Sequence, residues 1–157
     1  MINIKMKSMF FDRATVISKV DAGTRKVLSR FGAYVRTTAK QSIKNAPFMQ
    51  KKKRGEERTN FRRGVSKPGQ PPYSRSGLLK KFIYFGYDPT QRSVVIGPER
   101  LSGWNKGKAP ALLEYGGTTQ SNLRGKKRIV SIAARPYMGP AFEKEKPKLP
   151  AMWRNSI

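Results

Sequence analysis

Few residues in this chain are equipped for bond-making chemistry. The carboxylates are Asp12, Asp21, Glu56, Glu57, Asp88, Glu99, Glu114, Glu143 and Glu145, and the sequence contains no His and no Cys. Without His there is no side chain that titrates near neutral pH and no common imidazole metal ligand, and without Cys there are no disulfides and no thiolate metal sites. A phosphate loop of the G-x-x-x-x-G-K type is absent, and Gly97, Gly103 and Gly107 do not form a dinucleotide fingerprint. These residues point to a protein that is not an enzyme and that needs no cofactor or metal.

Glu114 stands apart from the other acids because it lies in Ala111-Leu112-Leu113-Glu114-Tyr115, among apolar neighbours. A carboxylate there needs a cation or hydrogen-bond donors to be tolerated. As a catalytic group it would be a general acid or base; as a structural group it would form a buried or interfacial pair, for instance with Arg135. No second carboxylate, nucleophile or metal ligand converges with it by sequence, which favours the structural role.

The cations carry the larger message. Lys and Arg total 34 against 9 Asp and Glu, a formal net charge of +25. Such a surplus seeks polyanions or acidic protein surfaces, which relieve its self-repulsion. The densest run holds Lys44, Lys51, Lys52, Lys53, Arg54, Arg58, Arg62, Arg63 and Lys67 against Glu56 and Glu57. Lys51, Lys52, Lys53, Arg54, Arg58, Arg62 and Arg63 are the candidates for contact with a polyanion, either phosphates or an acidic protein rim. Phe48, Met49 and Phe61 are the exceptions in this run, candidates to anchor on a partner; the aromatic residues otherwise cluster at 82–87 and ring-stacking motifs are absent, so base-specific readout is not expected.

The elements that must position these groups can be read from periodicity. Val16, Val20, Val27, Phe31, Tyr34, Val35, Thr38 and Ser42 recur at three- and four-residue steps and predict one long helix between Asp12 and Ile43, with Asp12 as its N-cap. Gly23 and Gly32 interrupt it and mark possible close packing against another element or chain. From 44 to 76 the pattern disappears, and the charge together with Lys67-Pro68-Gly69-Gln70-Pro71-Pro72 predicts a flexible basic loop.

Phe82–Tyr87 and Ser93–Gly97, joined by a turn at Asp88-Pro89-Thr90-Gln91, predict an antiparallel hairpin packed on the long helix. A short helix beginning near Pro110 and ending at Gly116-Gly117, a strand at Arg128–Ile132 and a helix from about Pro140 to Lys146 follow. Pro147 and Pro150 interrupt that helix, leaving 147–157, with Met152 and Trp153, as a docking tail or a second short helical turn. At 157 residues and 37% apolar composition the chain fits one domain over 1–157, of α+β class: a long N-terminal helix on a small antiparallel sheet, with a C-terminal helix and the basic loop. Its N-terminus lacks the apolar core of a secretory signal and no run of about 18 apolar residues occurs, so it is expected to be made soluble in the cytosol, with no membrane partner.

Gly69-Gln70-Pro71-Pro72, Ser76-Gly77-Leu78-Leu79, Val94-Val95-Ile96-Gly97, Leu113-Glu114-Tyr115-Gly116-Gly117 and Ala134-Arg135-Pro136-Tyr137-Met138-Gly139-Pro140-Ala141 occur in this order. In that order and spacing the chain, from Asp12 to about Lys148, resembles the neck or tail-completion proteins of long-tailed bacteriophages, also described as minor tail or head-tail joining proteins. The extended basic loop, Trp104 with its Lys-rich surroundings and the Pro-broken C-terminus depart from that pattern. The resemblance implies a structural virion subunit, several copies of which form a ring at the head-tail interface. Its partners would be further copies of itself, the connector or stopper, the tail terminator or tail-tube proteins, and packaged DNA through non-specific contact. Within that resemblance Glu114, Tyr115, Gly116, Arg135, Pro136 and Tyr137 would be interface residues. A small basic RNA-binding protein of the ribosomal type would share the charge, the length and the lack of His, and is the alternative.

Overall fold

A 30-residue helix, α1 (Arg13–Ser42), is the spine on which the other elements are laid. The computed structural model describes residues 12–52, 59–99, 109–123, 126–154 and 156. Asp12 caps α1 as the sequence predicts, its carboxylate accepting the Thr15 N–H at 3.1 Å. Val27, Phe31, Val35 and Ala39 are buried along one face, continued past the helix end by Ile43. The N-terminal part of the apolar stripe does not join the core: Val16, Ile17 and Val20 remain exposed. A helix of this length runs about 45 Å, farther than the elements packed against it extend.

Two short strands, β1 (Phe48–Lys52) and β2 (Thr59–Arg63), pair antiparallel inside the segment read above as a flexible loop. The expectation of a loop is corrected at 48–52 and 59–63, which pair as strands with their base closed by Gly64 N–H donating to Pro47 O at 2.8 Å, followed by a return stretch bridged to Asn45 through Ser74. Polarity alone predicted a loop, but the cross-strand register, with Phe48 opposite Arg63, pairs the backbone of the two strands. The Arg63 guanidinium lies 5.5 Å from the centroid of the Phe48 ring, which remains largely exposed. In the return stretch Gly69 has φ +77, the left-handed value that a Pro-Gly type II turn requires.

A single helical turn, α2 (Leu78–Lys81), leads into β3 (Ile83–Asp88), which pairs with β4 (Ser93–Pro98) in the expected hairpin. Asp88 organises the turn, its Oδ1 accepting the N–H groups of Thr90 and Gln91. Alternation sends Ile83 into the core and leaves Tyr84 and Val95 exposed. Gly32 is where α1 meets this hairpin: a Cβ there would lie 2.9 Å from both Phe85 and Val94. Of the two interruptions in the helix, Gly32 thus marks close packing within the chain.

Then come α3 (Ala109–Tyr115), a second freestanding hairpin of β5 (Gly117–Leu123) and β6 (Lys126–Ile132), α4 (Met138–Glu145), a 3₁₀ turn over Lys146–Lys148 and α5 (Leu149–Arg154). The α-helix ends at Glu145, ahead of Pro147 in the 3₁₀ turn, and a second short helix takes up Pro150 in its first turn, where a missing N–H costs nothing. The segment docks on its own chain, with Leu149 and Met152 packed on the core against α1.

The core is small and helical in plan. Phe31, Val35, Ala39, Ile43, Ile83, Tyr137 and Ala141 form one buried cluster where α1 meets β3 and α4. Thr38, on the predicted apolar stripe, instead donates to the buried carboxylate of Glu145 at 2.8 Å, and Lys148 Nζ lies 2.7 Å from the other oxygen. Those two donors hold the Glu145 carboxyl below its ordinary value against the effect of burial. The architecture is therefore α+β: a long N-terminal helix packed on small two-stranded antiparallel sheets, with a C-terminal helix.

Candidate functional site

Three of the sequence-predicted interface residues meet at the start of α4, and main chain holds them there. Tyr137, the N-cap of α4, provides no side-chain cap of its own. Glu114, from the last turn of α3, takes that role across 23 residues: Oε2 accepts the N–H groups of Tyr137 at 2.9 Å and Met138 at 3.1 Å, and Oε1 accepts that of Gly139 at 2.8 Å. The next residue, Pro140, has no N–H. One carboxylate thereby satisfies every donor among the four that a helix N-terminus leaves without intrahelical partners, and its charge sits at the positive end of the dipole.

The expected Glu114–Arg135 pair is absent, a second correction. Arg135 turns the other way, its Nε donating to Ser66 O at 3.1 Å and its Nη1 to Ala133 O at 3.0 Å. A guanidinium was the obvious partner in sequence, but three convergent backbone donors suit a carboxylate without the cost of desolvating a second charge. Arg135 instead fastens the return stretch after the β1–β2 hairpin to the turn after β6. The same turn accepts Gly69 N–H at Ala134 O, 2.8 Å away.

Gly116 makes the closure of α3 possible. Its φ is +75, and a Cβ there would lie 3.0 Å from Ala134 N and 3.1 Å from Ile132 O. Only a residue without a side chain fits both the left-handed conformation and the adjacent backbone. Arg135 N–H then caps the helix end by donating to Leu113 O. Pro136 follows, restricting Arg135 to extended backbone and delivering the chain to the α4 cap.

Tyr137 is buried at 1% exposure, whereas Tyr115 is 83% exposed. Burial, seconded by the nearby Glu114 charge, raises the Tyr137 phenol well above its ordinary value, so it stays neutral under physiological conditions. The six predicted interface residues thus divide: Glu114, Gly116, Arg135, Pro136 and Tyr137 build the junction, and Tyr115 is left facing outward from it. Gly139 belongs to the same junction and was not singled out by sequence. Its Cα faces Glu114 Oε1, which a Cβ would approach to 3.2 Å; the signal for it was the adjacent Met-Gly-Pro step.

Among the predicted polyanion contacts, Lys51, Lys52, Arg62 and Arg63 lie on the β1–β2 hairpin, while Lys53, Arg54 and Arg58 lie outside the described residues. Arg63 Nη1 also donates to Arg75 O, tying the hairpin base to the return stretch. The β5–β6 hairpin adds Lys127 and Arg128, both exposed.

A cavity of about 530 Å³ lies between α1 and the β3–β4 turn. Arg25, Lys26, Arg92 and Asp21 line it, with Arg92 paired to Asp21 at 3.3 Å. No group of three or more potential metal ligands occurs among the described residues, and no described helix is long and apolar enough to cross a membrane. The arrangement is a hydrogen-bonded junction of α3, the turn after β6 and the start of α4, beside hairpins that carry Lys and Arg. Comparison with protein-family models, with curated proteins and with solved structures returns no match.

Proposed function

We propose that this protein is a structural subunit of a long-tailed bacteriophage particle, a neck or tail-completion protein whose copies form a ring at the head-tail interface. In the virion it would join the connector to the tail and surround the DNA channel, with no catalytic role. The observation that carries this proposal is the Glu114 cap: it locks Leu113–Gly117 to Ala134–Ala141, the two most extensive motifs of the family resemblance, into one rigid unit. Around that unit the small core leaves Tyr115, Phe142 and the β5–β6 hairpin exposed, as suits a subunit completed by neighbours. The surplus of +25 then faces a polyanion along the channel or acidic neighbouring rings.

Fluorescence anisotropy with random-sequence duplex DNA and with a structured RNA, each over a salt series, tests this function. Weak binding that ignores sequence and falls linearly with the logarithm of salt is expected for both. Tight, selective binding of the structured RNA by a monomer would replace the virion role with that of a small ribosomal-type protein.

A further inference from the structure

Among the described residues β5 and β6 pair with each other and with no further strand, while the main packing of the molecule is α1 against β3, β4, α4 and α5. Ile129 is 76% exposed and its neighbour Val130 is 41% exposed. Consecutive strand residues point to opposite faces, so both faces of β6 are open to solvent at Ile129 and Val130. A two-stranded hairpin in that state is marginal in water unless a third strand or another layer covers it. Lys127 and Arg128 immediately precede the exposed pair, and no acid occurs in Gly117–Ile132.

A groove of matching character lies between β4 and α4. It consists of two adjoining cavities of about 360 and 330 Å³ that share Ile96 and Met138. Val94 and Phe142 line one end, Pro110 and Tyr115 the other. One wall is β4, which among the described residues pairs with β3 alone, leaving its other edge with main-chain donors and acceptors to offer. Glu99, Glu114 and Glu143 also line it, three of only nine acids in the sequence; Glu114 is taken up by the α4 N–H groups, and Glu143 has an exposed partner, Lys146, at 3.8 Å. The groove is thus apolar within and acidic at its margins, on a molecule that is otherwise strongly basic.

We propose that the β5–β6 hairpin of one copy docks in the β4–α4 groove of a second copy, Ile129 or Val130 entering between β4 and Phe142, with Lys127 and Arg128 meeting Glu99 and Glu143. This deepens the assembly reading above and rests on it. The occupant is another copy because Ile129 is solvent-exposed in its own chain. Donor and acceptor are different surfaces, so each copy gives one arm and receives one, the head-to-tail arrangement that generates a ring when its rotation closes. Strand addition to β4 would give main-chain affinity, and the apolar and charged side chains would set the register.

The absence of Cys makes the test direct. Ile129→Cys protein is mixed under mild oxidation with Phe142→Cys protein, with Glu143→Cys on the same margin as a second acceptor in case loss of the Phe142 ring harms folding, and with Val65→Cys as an exposed control away from the groove. The expected result is a mixed disulfide dimer with either groove variant, several-fold above the Val65 control and above Ile129–Ile129 dimers. Equal yields, or a dominant Ile129–Ile129 product, would overturn the proposal. Ile129→Asp should also lower the assembled mass in light scattering while leaving the unfolding midpoint unchanged; an assembly of undiminished mass would count against it. Failed cross-linking in a protein that still assembles removes the arm-in-groove contact alone. Failed cross-linking with no assembly at any concentration removes the ring reading too.

Discussion

Glu114 and Gly139 are fitted to each other: Glu114 Oε1 accepts the Gly139 N–H at 2.8 Å, and the Cβ that any other residue would bring stands 3.2 Å from that same oxygen. The carboxylate and the missing side chain form one device, joining the end of α3 to the start of α4.

Removing the carboxylate should therefore act on stability. Glu114→Ala leaves three backbone donors without their partner and is expected to cost about 2 kcal/mol, read from the urea midpoint. Glu114→Gln, which keeps an acceptor but loses the charge at the helix dipole, should fall between the variant and wild type. Gly139→Ala should destabilise in the same direction, and its effect should shrink in the Glu114→Ala background because the two residues act as a pair. Strict additivity would contradict the cap.

Gly32 offers a test of opposite sign. On helix propensity alone Gly32→Ala should stabilise α1 by about 1 kcal/mol. The added Cβ would meet Phe85 and Val94 at 2.9 Å, and overpacking of this kind costs about 1–3 kcal/mol. Net destabilisation on thermal or urea unfolding is expected; a stabilised variant would contradict the close helix–hairpin contact.

Acid should unpick the Glu145 network. Its folded carboxyl titrates below the ordinary value of 4.5 because Lys148 and Thr38 hydrogen-bond to it. Its stabilising contribution is then complete above that value and is lost as pH falls through the lower folded one. Glu145→Gln should be less stable than wild type at pH 7, with the gap narrowing as pH drops below 4.5; a gap independent of pH would contradict the assignment.

The β1–β2 hairpin is separable from the core. Its base is closed at Pro47 and Gly64, so replacing 51–63 with a tight turn should preserve one cooperative unfolding transition. The slope of DNA affinity against salt should become shallower, since about 0.9 of a counterion is released per neutralised phosphate. Loss of cooperative unfolding would show that the hairpin contributes to the core.

Much of the spine was legible in the sequence, and the reasons differ for what was not. The stripe through Val27, Phe31 and Val35 marked α1, and Asp12 marked its start, because helical period and capping are local signals. The β3–β4 hairpin was equally plain in its alternating aromatic and β-branched residues. β5 was missed because Gly-Thr-Thr-Gln-Ser-Asn-Leu has no apolar alternation; it is held by register with β6. At the site, the need of Glu114 for partners was readable from its apolar neighbours. Their identity was not, since backbone N–H groups carry no sequence signal and acquire one only when a helix begins in the right place.

The measurement that bears most directly on the assembly account is the mass of the purified protein by light scattering, with and without duplex DNA, across a salt series. A discrete oligomer of ring size, formed alone or nucleated by DNA at low salt, is the expected result. A particle that stays monomeric at every concentration and salt, with or without DNA, would contradict the ring.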